Sequence, residues 1–99
     1  MLTRQANKLV FSLFIMYNIS MIESKYLVFK RIDIPGRKTP VFEIYNKSDE
    51  CLGLIALHPA WRKFVFYPAS DTIFDAACLS DIIIQMNDAT AEWKAGLKK

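Results

Sequence analysis

Residues 52–68 read Leu-Gly-Leu-Ile-Ala-Leu-His-Pro-Ala-Trp-Arg-Lys-Phe-Val-Phe-Tyr-Pro, and this stretch decides the fold. Two short apolar runs rich in β-formers flank a turn that contains Pro59, with Trp61 and Arg62 where the chain reverses. The pattern predicts a β-hairpin with strands over 51–57 and 62–67. Gly53 inside the first strand predicts a bulge or a close backbone approach, which lets Leu52, Ile55 and Leu57 face inward despite their uneven spacing. In the second strand Phe64 and Phe66 fall on one face and Lys63, Val65 and Tyr67 on the other, before Pro68 ends it.

Working outward, Thr39–Asn46 alternates, with Phe42 and Ile44 on one side and Glu43 and Tyr45 on the other. Pro40 suits its start because it lacks an N–H. Lys25–Ile34 is rich in β-branched and aromatic residues and ends at the turn dipeptide Pro35-Gly36. Asn46–Glu50 (NKSDE) is a polar turn whose side chains can bond their own backbone. Short connections favour an antiparallel meander.

The period then changes. Cys78, Leu79, Ile82, Ile83, Met86, Ala89 and Trp93 form a helical stripe, with Asp75 as N-cap, Asp81 early in the helix, and Gly96 with the following lysines as its stop. Neither sheet nor helix buries its apolar side alone, so the helix covers one face. The expected architecture is α+β: a four-stranded antiparallel meander packed on one face by a C-terminal helix (ββββα), forming a single domain over 23–99.

Residues 1–22 are set apart as an N-terminal extension. Leu9–Tyr17 (LVFSLFIMY) is an apolar run behind Arg4 and Lys8, like the core of a secretory signal, but Asn18-Ile19-Ser20 is a poor cleavage end. As a helix it would be ~14 Å long, about half of a ~30 Å hydrocarbon core. Three readings stand: an extension from a wrongly chosen start at which Met21 is the true opening, an export signal or membrane-surface anchor, and an extra element of the fold.

The 99 residues suffice for one modest core, and 53% hydrophobic with 23% charged residues marks a folded chain. The formal charge is +3, but Arg4 and Lys8 carry two of the thirteen positive charges, leaving eleven against ten from Met21 onward. Only local charge can therefore argue for nucleic acid. In a meander the turns after the first and third of the expected strands share one end, and the helix runs back toward it. Arg31, Arg37, Lys38, Arg62 and Lys63 should gather there, joined by Lys94, Lys98 and Lys99. Asp49, Glu50, Asp71 and Asp75 should gather at the other.

That basic pole, with Trp61 and His58, reads as an anion site for DNA or RNA, since arginine forks onto phosphate and aromatics stack on bases. It reads equally as helix-dipole complementation and loop solubility. Trp61 either caps the core or anchors a binding patch. The uncovered sheet face, with Tyr45, Val65 and Tyr67, is the rival surface, suited to a protein partner or a homodimer.

Three scattered glycines do not cradle phosphates, and no nucleophile motif surrounds His58. Cys51 and Cys78 with one histidine do not complete a zinc set and read as buried thiols. A non-enzymatic module without cofactor or metal is expected. The run Leu52-Gly53-x-Ile55, Trp61-Arg62-x-Phe64-x-Phe66-x-Pro68, Cys78-Leu79-x-x-Ile82 resembles a family of small proteins of bacteriophages and bacterial mobile elements. That family's pattern is Leu-Gly-x-Ile-x-Trp, Trp-Arg-x-Tyr-x-Phe-x-Pro, Cys-Leu-x-x-Ile. The likeness spans about residues 24–90, and departs where Leu57 stands for the first Trp and Phe64 for the Tyr. It implies a compact cytoplasmic accessory protein and brings no established activity or ligand; taken with the residues, the expected reading is a binding module acting on a host or phage macromolecule.

Overall fold

The computed structural model describes residues 19–97. Five strands follow one another as β1 (Ile19–Glu23), β2 (Leu27–Ile32), β3 (Val41–Asn46), β4 (Cys51–His58) and β5 (Lys63–Pro68), and then a helix, α1 (Ala76–Leu97). The strands pair antiparallel in sequence order, so the sheet is an open meander. The α+β class, the meander and the covering helix follow the expectation; the strand count does not.

Residues 19–22, which the sequence alone leaves in the N-terminal extension, belong to a fifth strand paired with β2, with Ile22 opposite Phe29 and Met21 opposite Lys30. Their side chains explain why the strand was illegible: Met21 and Ile22 both stay exposed. β1 adds backbone hydrogen bonds at an edge but little burial, and so carries no strong apolar alternation. The Leu9–Tyr17 run lies outside the described residues, and no helix among those described is long and apolar enough to cross a membrane.

On the helix side of the sheet, Leu27, Phe29, Phe42, Ile44, Ile55 and Phe64 meet Ile82 and Ala89 of α1. Phe42, Leu27, Ile44, Ile55 and Ile82 are the largest side chains fully buried, each stabilising the fold by ~1.5–3 kcal/mol relative to exposure. Phe42 and Phe64 meet edge to face with ring centroids 6.1 Å apart.

The bulge expected near Gly53 is present. Ile44 pairs with Gly53 but Tyr45 pairs with Cys51, so Leu52 is the extra residue and turns onto the core. Gly53 has φ +145°, and a Cβ there would meet the Tyr67 carbonyl oxygen and lie 2.8 Å from the Phe66 ring. Gly36 answers a different demand. It sits after Pro35 with φ +83°, and the Arg37 N–H donates to the Ile34 carbonyl at 3.0 Å, a type II turn.

The helix seats Cys78, Ile82, Met86, Ala89 and Trp93 of the expected stripe on the sheet, but is turned away from it at two positions. Leu79 and Ile83 are 40% and 50% exposed, whereas Gln85 is buried. Apolar residues lie around much of this helix, so the stripe alone does not choose a face. The small Ala89 allows close approach, and the Phe64 N–H on the edge strand donates to Thr90 Oγ1 at 2.9 Å, which sets the rotation. Asp75 caps as expected, its Oδ1 accepting from the Cys78 N–H at 2.9 Å. Asp81 falls in the second turn, where the dipole has faded, and the helix continues through Gly96 to Leu97.

Two predictions follow from this geometry. Gly53→Ala, measured by urea unfolding, is expected to lose at least ~1–3 kcal/mol for the strained φ, more than Gly36→Ala, because only position 53 adds contacts with backbone and ring. The hydrogen bond from the Cys78 N–H holds the Asp75 carboxyl below its usual value. Its contribution is therefore present above the unfolded value of ~3.9 and is lost as pH falls through the lower native one. Acid titration of thermal stability should show wild type losing more than Asp75→Asn, which keeps the cap but does not titrate.

Candidate nucleic-acid interface

The turn between β4 and β5 is built on His58. Its carbonyl accepts from the N–H groups of Trp61 (3.2 Å) and Arg62 (2.9 Å), which folds residues 59–62 into one tight loop. Arg62 closes it in the left-handed region, φ +55°. That conformation costs a non-glycine residue ~1–2 kcal/mol, so glycine would be the cheaper choice for the backbone alone. The Arg62 guanidinium lies 5.5 Å from the centre of the Trp93 ring, toward the helix. Trp61 projects the other way. Its indole stacks on His58 with centroids 4.3 Å apart and 16° between planes, and is 62% exposed. It does not cap the core.

The meander brings the β2–β3 and β4–β5 turns to one end, and α1 returns to it. The convergence is direct: Arg31 on β2 donates from Nη1 to Glu92 Oε1 on α1 at 2.9 Å, and from Nε to Asp33 Oδ2 at 3.3 Å. The Glu92 hydrogen bond, ahead of the Asp33 charge and against partial desolvation, raises the pKa of the guanidinium further. Lys38 and Arg31 line a groove of about 350 Å³ between the β2–β3 side and the helix C-terminal half, walled by Pro40, Trp93 and Leu97, with the buried Phe42 and Phe64 contributing only their edges and Glu92 at its rim.

The expected cations thus share an end but not one patch. Arg31, Lys38 and Arg62 lie toward the helix. Lys63 pairs across the hairpin with His58, on the open side of the sheet next to Trp61. Arg37 lies in the β2–β3 turn, its Nε donating to the Thr39 carbonyl. Among the described residues, Arg37, Lys38, Arg62, Lys63 and Lys94 have no carboxylate within 4.0 Å, whereas Arg31 has two. Lys98 and Lys99 lie outside the described residues.

Trp93 and Glu92 were missed as site residues. Trp93 fits the helical stripe and so reads as core, yet the same topology that carries Lys94 to this end carries its neighbours.

Tyr45, Val65 and Tyr67 all sit on the open face. Tyr45 donates to Glu43 Oε1 at 3.0 Å and lies under Lys30 Nζ, 4.2 Å from the ring centre. Burial first, and Glu43 second, raise its phenol above the ordinary value. Tyr67 is 43% exposed, two strands away on β5. Cys51 is exposed, not buried as expected, because the bulge turns Leu52 inward in its place; Cys78 is half-buried, and both are free thiols. Burial raises the Cys78 thiol pKa. Among the described residues no three His, Cys, Asp or Glu side chains gather to hold a metal.

Fold and site together define a small open-sheet α+β protein with a cationic, aromatic end. The chain is 32% identical over 72 residues to an uncharacterised 9.3 kDa protein of Acholeplasma phage L2, covering 72% of this chain and 92% of that protein. It belongs to the family of that phage protein. No protein-family model and no solved structure matches it.

Arg62→Gly tests whether the residue is kept for its side chain. Relief of the left-handed strain offsets the lost Arg62–Trp93 contact, worth ~0.5–1 kcal/mol at an exposed site. Thermal unfolding is expected to show stability unchanged or slightly raised; a large loss would make Arg62 a structural residue.

Proposed function

We propose that this protein is a non-enzymatic module that binds single-stranded nucleic acid across the basic end of its sheet. The observation that carries this reading is the exposed Trp61, stacked on His58, at the end where Arg37, Lys38, Arg62, Lys63 and Lys94 stand without carboxylate partners among the described residues. An indole stacked on one face yet open to solvent is a stacking platform, and cations on either side of it can follow a phosphate backbone. A single strand suits the site better than a duplex, because stacking on Trp61 needs an unpaired base. The kinship with a phage protein agrees with an accessory role on a host or phage macromolecule.

A second reading has one observation of its own. The face opposite the helix presents Val28, Val41, Leu54 and Val65 beside Tyr45 and Tyr67, an apolar surface suited to a protein partner or a second copy.

Fluorescence anisotropy with labelled single-stranded DNA and RNA tests the first reading. Affinity should fall steeply between ~50 and ~200 mM salt. Reversing Arg37, Lys38 and Arg62 to glutamate should weaken binding at least about tenfold and flatten the salt slope by ~0.7 per lost phosphate contact. Absence of binding, or binding indifferent to salt and to these reversals, overturns it. A tight dimer in sedimentation that Tyr67→Glu dissociates would favour the second reading.

A further inference from the structure

The groove behind Arg62 is more specific than phosphate binding requires. We infer that it is a base slot: it takes one nucleobase against the half-buried Trp93, with Pro40 lining the same groove, and prefers guanine through the Arg31–Glu92 pair. This rests on the nucleic-acid reading for the source of the base, but not for the chemistry of the slot. At about 350 Å³ the groove lies at the small end of ligand sites, ~300–1,000 Å³. That suits a single nucleotide rather than an extended cofactor.

The polar rim is held in place. Arg31 is braced from two sides, by Asp33 at 3.3 Å and by Glu92 at 2.9 Å, and its side chain is 28% exposed. Glu92 spends one oxygen on Arg31 and has the other free of any described partner. A donor and an acceptor therefore stand side by side at the mouth of an aromatic slot. Among the four bases, guanine alone presents on its pairing edge one acceptor, O6, followed by two donors, N1–H and the N2 amino group. The guanidinium can donate to O6 while the carboxylate accepts from the N2 amino group at its free oxygen and from N1–H at the oxygen it shares with Arg31, which has a second lone pair. Uracil and thymine lack the second donor, and adenine and cytosine offer the reverse order. Lys38 lines the same groove and supplies a cation for the nucleotide's phosphate.

The base can come from a free nucleotide or from a strand, and the experiment separates these. In a full-length Trp61→Phe protein Trp93 is the one tryptophan left and is excited selectively over the tyrosines; the four nucleoside 5′-monophosphates are titrated against it. A second arm compares an oligothymidine with the same strand carrying one central guanine. The expected result is saturable Trp93 quenching by guanosine monophosphate, the other three binding about tenfold or more weakly, as one bidentate base contact allows. The guanine-bearing strand should likewise bind tighter. Glu92→Gln should abolish the preference while leaving thermal stability near that of the parent, since its amide oxygen still accepts from Arg31. Equal affinity for all four nucleotides, or none, overturns the slot; salt-dependent binding of both strands in that case leaves the nucleic-acid reading standing. Guanosine monophosphate bound with neither strand held supports the slot with a free nucleotide as ligand, and removes the strand.

Discussion

Where the helix lies depends on the meeting of Phe42 and Phe64 beneath it. The two rings pack edge to face at 6.1 Å, and Ala89 is the small residue of α1 that comes down beside them. A bulkier side chain at that position would lift the helix from the sheet. Thr90 then bonds the Phe64 N–H, covering an edge strand that would otherwise present an open donor. These two contacts place Glu92 within reach of Arg31 and Trp93 beside Arg62. Packing chosen by a pair of phenylalanines thereby decides which polar groups meet some thirty residues and more away along the chain.

The end of the molecule so assembled combines two chemistries. Toward the helix, cations stand around an aromatic groove; toward the open face, an indole is held against an imidazole at the tip of a turn. Among the described residues only Arg31 is neutralised there, by Asp33 and Glu92. The loop that presents Trp61 holds Arg62 in a left-handed conformation that an arginine adopts at a cost. Strain of this kind is retained where the side chain itself is used, here to lie over Trp93 while its neighbour faces solvent.

Much of the fold was legible because it is local. The alternation of Phe42 and Ile44, the reversal at Pro59, the turn at Pro35-Gly36, the cap at Asp75 and even the bulge beside Gly53 each follow from a few adjacent residues. What failed to show was set by tertiary contact. β1 is an edge strand whose side chains bury little, so its sequence carries no signature stronger than the apolar run before it. The helix has Leu79, Ile83 and Ile84 as well as Ile82 and Met86, and only the sheet decides that Gln85 faces in. The basic end was foreseen from strand order, but its division into two sides was not, because that turns on the direction each side chain takes from a single turn. The groove joins Arg31 and Lys38 to Glu92 and Trp93, residues that no local pattern connects.

If the helix-side groove and the turn at Trp61 form one contact surface, backbone amide shifts should map it directly. In a ¹⁵N–¹H correlation spectrum of the full chain titrated with a single-stranded oligonucleotide, the shifted resonances should be those of residues 31, 37–38, 58, 60–63 and 89–97. Shifts centred on Tyr45, Val65 and Tyr67, with the basic end unmoved, would contradict it.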